Sequence, residues 1–348
     1  MKKIALIGCG HVVFGKHREA YENLKDRIRP WVICDPSSSA SRPMREWAEI
    51  PDERYVTRLE DLDHFQDEID AAVVATPVNV HSTAVNYAMG LGWDVLCEKP
   101  LAKDLLEVDR MLKEAERLGR RLGVIHNIRY AGIVHDTCDY IQKGHIGEVK
   151  LVQGHAQSQP WTGKEWRSDA SQGGAGHFFD CLYHEIYCAR AVIQSPIRRV
   201  YGVCATLGAA SISVEDVMLC IMEFGNGSLA SFQDVKAFPE TAPKLFASYG
   251  SKGAVIREIP SQDDRYVHHG EQRHPLPKHP ESTTHGTTGV FKRFLNSMDT
   301  DTTLPYEIDA AGDGRENIRV VFAAYESARS GKPIDMRTWN MRKREEKF

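Results

Sequence analysis

No Cys-x-x-Cys pair occurs among the eight cysteines, which stand at 9, 34, 97, 138, 181, 188, 204 and 220. That excludes the common structural zinc and dithiol motifs, and it leaves buried free thiols in a reducing cytoplasm as the reading. No apolar run reaches membrane-spanning length. Ile4-Ala5-Leu6-Ile7 follows Lys2-Lys3 but is interrupted by Gly8, Gly10 and His11, with no small-residue cleavage site beyond, so it is not read as a signal peptide. Excess positive charge is also missing. The formal net charge is −4 and no dense basic patch with interleaved aromatics appears, which excludes nucleic acid and anionic membranes as expected partners. Internal repeats and low-complexity tracts are absent too, so neither a solenoid nor a disordered tail is expected.

What remains is a globular chain of two domains. At 348 residues, 42% apolar and 26% charged, it is long for one core and suits two domains of about 150 residues each. Over residues 1–126 short apolar strands alternate with helices. The strands are Ile4 to Ile7, Trp31 to Cys34, Asp70 to Ala75, Trp93 to Cys97 and Leu122 to His126, and an amphipathic helix from Asp104 to Leu118 is ended by Gly119. This alternation predicts an α/β fold with a Rossmann-type doubly wound parallel sheet. From residue 127 the rhythm changes. A helix near 133–143, a long strand through Gln157 and strands near 198–208, 214–224, 228–238 and 244–250 predict a C-terminal α+β domain with an open, mainly antiparallel sheet. Helices near 288–298 and 307–330 complete it, the second expected to pack back toward the first domain. Val214 to Phe224 is apolar on both faces, so a second copy is expected to cover the sheet's far side in a homodimer or homotetramer.

Three stretches carry chemistry. First, Gly8-Cys9-Gly10, continuing through His11 and Val12, joins a strand to a helix, a layout that lets a pyrophosphate approach the backbone at a helix N-terminus. Position 13 is valine and Gly15 lies two residues late, a departure from the usual third glycine. Asp35 ends the second strand. It suits a ribose 2′-hydroxyl and repels a 2′-phosphate, which favours NAD over NADP, and it equally suits the N-cap of the next helix. Against that preference, Ser37, Ser38, Ser39 and Arg42 offer a hold for a phosphate. Second, Glu98-Lys99-Pro100 follows a buried strand, at the end where open α/β sheets bind ligands. Third, behind Gly173-Gly174-Ala175-Gly176 a helix carries the apolar stripe Phe179, Leu182, Ile186, Ala189 and Ile193, with Asp180 and His184 one turn apart on the neighbouring face.

Taken in order, the glycine turn, the acid after the second strand, Thr76-Pro77 with His81, Glu98-Lys99-Pro100, Gly147-Glu148-Val149, Asp180-x-x-x-His184 and the tail from Tyr325 to Pro333 closely resemble the Gfo/Idh/MocA family of sugar and cyclitol dehydrogenases. The resemblance implies that Lys99, Asp180 and His184 are the catalytic trio. It also implies that Gly8, Gly10, His11, Val12, Asp35, Thr76, Pro77, Asn79, His81, Glu98 and Lys99 line the cofactor. His126-Asn127-Ile128-Arg129-Tyr130 partly matches the family's crossover segment, which makes His126, Arg129 and Tyr130 substrate candidates. Trp161, Trp166 and Arg167, in a polar loop before the glycine run, are further candidates, as stacking surfaces and a charge. His268, His269, His274, His279 and His285 match no regular ligand spacing, and no metal is expected.

The expected activity is NAD-dependent hydride transfer between nicotinamide and a secondary hydroxyl of a sugar, cyclitol or derivative. Hydride loss needs a proton acceptor at the hydroxyl, and a neutral imidazole suits that task, with a lysine cation stabilising the developing oxyanion. Two alternatives share the fold. One is a redox-neutral enzyme that oxidises its substrate transiently so that elimination or hydrolysis follows; the other is a non-catalytic NAD- or sugar-binding regulator.

Overall fold

A computed structural model describes residues 1–160, 168–169, 176, 178–208, 212–237, 244–259, 265–280, 282, 286–300 and 311–339. The chain divides into two compact units. The first is Met1–Gly132 with Glu281–Arg315, and the second is Ile133–Pro280 with Glu316–Phe348.

In the first unit, six strands β1 (Lys2–Ile7), β2 (Ile28–Cys34), β3 (Tyr55–Val56), β4 (Ala71–Val74), β5 (Asp94–Glu98) and β6 (Leu122–Ile125) form one sheet in the order β3-β2-β1-β4-β5-β6. Every pairing is parallel. Helices cover both faces of such a sheet, so its strands are continuous apolar runs: Ile4 to Ile7 and Ala71 to Val74 are all buried. Strand order reverses between β1 and β4, which leaves a crevice at their carboxyl ends. Local signals set the helix ends. Asp104 accepts the Glu107 amide at 2.8 Å to start Leu105–Leu118, and Gly119 ends it at φ 63°.

The expectation that residues 127–348 form the second domain is corrected at 281–315. Helix Thr287–Asp299 turns Val290, Phe291, Phe294 and Leu295 into the core built by Ile4, Leu6, Ile33, Val73 and Tyr21. Its apolar stripe has the right period, but nothing local says which sheet it covers.

Among the described residues the second unit holds a nine-stranded sheet made of β7 (Val149–Gln157), β8 (Ile197–Ala205), β9 (Val217–Phe224), β10 (Leu229–Val235), β11 (Lys244–Gly250), β12 (Ala254–Ile259), β13 (Arg265–His269), β14 (Gln272–Pro275) and β15 (Ile334–Asp335). Their order is β14-β13-β12-β11-β7-β10-β9-β8-β15. Only β7 and β10 pair in parallel; the other neighbours are antiparallel. The sheet thus runs beyond residue 250, into a Pro- and His-containing stretch that carries no clear alternation. Met218, Cys220, Met222 and Phe224 of β9 are buried, whereas Leu219 and Ile221 on the opposite face are 46% and 49% exposed. Val203 of β8, paired with Leu219, and Leu229 of β10 are exposed on that same open face. Helix Ala311–Ser330 belongs to this unit from Glu316 on. Residues 307–310 lie outside the described residues.

Phe291 is 3% exposed and meets Tyr21 edge-on at 5.5 Å between ring centroids. Phe291→Ala should destabilise the first unit by about 3–5 kcal/mol in urea denaturation, the usual cost of deleting a buried phenyl ring. A cost under about 1 kcal/mol would remove this helix from that core.

Candidate functional site

At the carboxyl ends of β1, β2, β4 and β5 stand Gly8, Asp35, Thr76 and Lys99. Gly8 has φ 80°, and a Cβ there would sit 2.6 Å from the Thr76 nitrogen and 2.7 Å from the Ala75 carbonyl carbon. Any side chain would force β1 and β4 apart at the switch point. The helical run that follows begins at His11 and passes through a π-turn, Val13–His17, into Arg18–Asn23. Val13, where the sequence lacks the usual third glycine, is fully buried in the core.

Asp35 is 7% exposed. One carboxylate oxygen accepts the Cys9 amide at 2.6 Å and the other the Ser37 amide at 2.7 Å, so the acid ties the glycine turn to the end of β2. The expectation that it caps the next helix is corrected. Ser37 is the N-cap of Ser38–Trp47, its hydroxyl accepting the Ala40 amide at 3.2 Å. A carboxylate offers about four lone-pair positions, so two amides leave room for a ribose hydroxyl.

His81, expected beside the cofactor, works from behind the site. It is 1% exposed, and its ring lies between two carbonyls, Nδ1 2.9 Å from the Pro100 oxygen and Nε2 2.9 Å from the Thr76 oxygen. Burial favours the neutral ring while the two carbonyls favour the cation. Burial wins, and its pKa falls below the ordinary histidine value. The ring ties the end of β4 to the segment after β5. Glu98, 13% exposed, accepts the Lys99 amide at 3.0 Å and lies 2.7 Å from Nε2 of His17. Sequence reasoning missed His17: a lone histidine 81 positions from its partner has no local signature.

These residues fit a dinucleotide. The place a Cβ of Gly10 would take is open space, and the buried Thr76 hydroxyl has no hydrogen-bond partner within the protein. His11, Pro77 and Asn79 are exposed and Val12 half-buried. Together they supply backbone approach, a free hydroxyl and a carboxylate, the donor and acceptor set that a pyrophosphate and a ribose require. A cleft of about 600 Å³ lined by Tyr21, Lys25, Arg29, Trp31, Trp47 and Arg54 lies near the amino end of β2, away from Asp35, and is not part of this site.

The remaining first-unit candidates are buried: His126 is 1%, Arg129 7% and Tyr130 8% exposed. Tyr130 packs in the hydrophobic core, with the Arg129 guanidinium 5.8 Å from its ring centre. Trp161, Trp166 and Arg167 lie outside the described residues, as do Gly173, Gly174, Ala175 and His285. Among the described residues no three His, Cys, Asp or Glu side chains come together as metal ligands.

In the second unit Asp180 lies in a π-turn, Phe178–Leu182, and His184 in the helix Tyr183–Ile193 that continues it. Phe179, Leu182, Ile186, Ala189 and Ile193 are buried as the spacing predicts, while Asp180 and His184 are half-exposed beside them. One carboxylate aims this segment. Oε1 of Glu215 accepts the Phe178 amide at 2.8 Å and the Tyr325 hydroxyl at 2.7 Å, and burial pushes the Tyr325 hydroxyl well above its ordinary pKa. Gly176, at φ 79°, lies so close that a Cβ would fall 1.9 Å from the Glu215 carboxylate. Neither Glu215 nor its link to Tyr325 is readable from local sequence.

Comparison with known proteins agrees over both units. A model of the oxidoreductase family with an NAD-binding Rossmann fold matches residues 2–126, and one of the Gfo/Idh/MocA C-terminal domain matches residues 136–256. A 1,5-anhydro-D-fructose reductase of Ensifer adhaerens is 29% identical over 228 residues, 65% of this chain and 67% of that one. A 2,7-anhydro-N-acetylneuraminate hydratase of Escherichia coli K12 is 24% identical over 264 residues, 73% and 67% of the two chains. The crystal structure of an aldose-aldose oxidoreductase from Caulobacter crescentus, complexed with glycerol, superposes with a TM-score of 0.85 over 96% of this chain and 99% of that one, at 20% identity. That last likeness speaks for the fold.

Proposed function

The chain belongs to the Gfo/Idh/MocA family of NAD-binding oxidoreductases, and from that premise we propose that it is an NAD-dependent dehydrogenase or reductase acting on a secondary hydroxyl of a sugar, cyclitol or sugar derivative. The observation that carries the reading is the set Gly8, Asp35, Thr76 and Lys99 at the carboxyl ends of neighbouring parallel strands, a cradle that fits a dinucleotide and keeps a cation at its edge. Bound nicotinamide would supply the hydride acceptor or donor. His184, as a neutral imidazole, takes the hydroxyl proton, and in the reducing direction it returns one. Lys99 stabilises the charge that develops on that oxygen, and Asp180, one turn from His184, orients the imidazole or the substrate. A panel of sugars, inositols and anhydro-sugars with NAD and NADP, followed at the reduced-nicotinamide absorbance, tests this directly.

A second reading has support in the similarity to an enzyme named a hydratase. In that reading the same residues serve a redox-neutral reaction with tightly held NAD. Substrate consumption without accumulating reduced cofactor would select it.

Lys99→Ala should lower turnover by about two to three powers of ten, about 3–4 kcal/mol of lost charge stabilisation, with a much smaller effect on NAD affinity. His184→Ala should cost about a hundredfold and flatten the acid limb of the pH–rate profile, because the limb reports protonation of the acceptor. Asp180→Asn should fall between them. Near wild-type turnover with an unchanged acid limb in His184→Ala would assign the helix pair to structure.

We further propose that NAD is preferred over NADP, because Asp35 accepts from a ribose hydroxyl and repels a phosphate. Asp35→Ser should weaken both cofactors, since the Cys9 amide loses its acceptor, and should lower the ratio of NAD to NADP affinity about tenfold or more. A wild-type enzyme with higher affinity for NADP would contradict the reading.

The open face of the second unit's sheet, with Val203, Leu219, Ile221 and Leu229 exposed, supports assembly into a homodimer or homotetramer. Sedimentation at micromolar concentration should show an oligomer, and Ile221→Glu should dissociate it. A wild-type monomer would disprove this assignment.

A further inference from the structure

His17 sits at the end of the π-turn that follows the glycine loop, fully buried, and the ring of Phe291 stands against it at 5.8 Å. Its Nε2 lies 2.7 Å from Oε1 of Glu98, while the other Glu98 oxygen accepts the Lys99 backbone amide at 3.0 Å. The carboxylate is therefore held on both sides, by an imidazole from the β1 side of the sheet and by the residue that follows it. Burial alone would raise the Glu98 pKa. The hydrogen bond from His17, the charge of that ring and the charge of Lys99 outweigh burial and hold the carboxyl below its ordinary value, so Glu98 is ionised at neutral pH. Its charge is felt by Cys97 and His81. Burial raises the Cys97 thiol pKa and the Glu98 charge adds to that rise, while it opposes the lowering that burial imposes on His81.

We propose that His17 is a positioning residue for Lys99: it keeps the Glu98 carboxylate in place and charged, and that carboxylate fixes the Lys99 backbone and supports the cationic form of its side chain. The proposal rests on the reading that Lys99 is the catalytic cation. The physical chain is short. A carboxyl group at this depth without the imidazole donor gains a proton rather than remain a poorly solvated anion. Lys99 then loses its adjacent negative charge, and its ammonium gives up a proton at lower pH. An apolar side chain of similar size at position 17 would fill the space and still cause this loss, which separates positioning from packing.

The test uses the full chain with its lysines reductively methylated with 13C-labelled formaldehyde, so that the Lys99 resonance, assigned by its absence in Lys99→Arg, can be titrated by NMR. Glu98→Gln and His17→Leu should each lower the Lys99 midpoint by about one pH unit, a tenfold change in proton affinity, while His17→Gln, which keeps a donor, should restore at least half of the shift. In the His17 variants NADH affinity, read by fluorescence, should change by less than about threefold, since the Gly8 and Asp35 contacts are untouched. If His17→Leu does not fold, His17→Asn, whose shorter amide falls short of Glu98, reads the same coupling. An unchanged midpoint in a folded, NADH-binding His17→Leu or His17→Asn enzyme overturns the proposal, as does an equal shift in His17→Gln. Should Lys99→Ala retain full turnover, the proposed chemistry fails, yet the titration still decides whether His17 acts on Lys99 through Glu98.

Discussion

The first unit depends on one backbone-to-backbone approach. Gly8, ending β1, comes so near the Ala75–Thr76 peptide that a Cβ has no room, and this closeness forms the floor of the crevice where the strand order reverses. With that floor in place, the Cys9 amide reaches Asp35 at the end of β2. The glycine is thus a condition of the whole arrangement. It is required by packing between two strands whose paired residues are 67 positions apart as much as by its positive φ.

Around that floor the polar side chains work in buried pairs. Asp35 spends its two oxygens on the amides of Cys9 and Ser37, His81 spans the carbonyls of Thr76 and Pro100, and His17 meets Glu98. Each pair links one strand end to a neighbour, so the loops carrying Thr76 and Lys99 are tied to the sheet. Breaking such a contact leaves a desolvated partner, which costs more than the hydrogen bond was worth, and the ties are mutually enforcing for that reason. Loops normally carry function at the expense of definition; here the buried ties restore the definition.

The second unit solves the same problem differently. Its half-exposed pair, Asp180 and His184, lies on a helical segment whose start is held by Glu215 and whose far side meets Phe322 and Tyr325 of the long C-terminal helix. The sheet behind it has one face packed by helices and one that carries exposed apolar side chains.

Much of this was legible in the sequence. Continuous apolar strands separated by helices gave the parallel sheet, alternation gave the half-open one, and the glycine turn, Asp35, Glu98-Lys99-Pro100 and the Phe179 to Ile193 stripe marked the candidate site. These signals are local: period, capping and turn chemistry are set by residues within a few positions of one another. What the sequence alone could not decide was which distant elements meet. That helix Thr287–Asp299 closes the first core, that Ser37 and not Asp35 caps its helix, that Tyr130 packs inward, and that His17 and Glu215 stand behind Lys99 and Phe178 all follow from strand order and side-chain packing. Such contacts join residues as distant in the chain as His17 and Phe291, 274 positions apart, and only the folded chain brings them together.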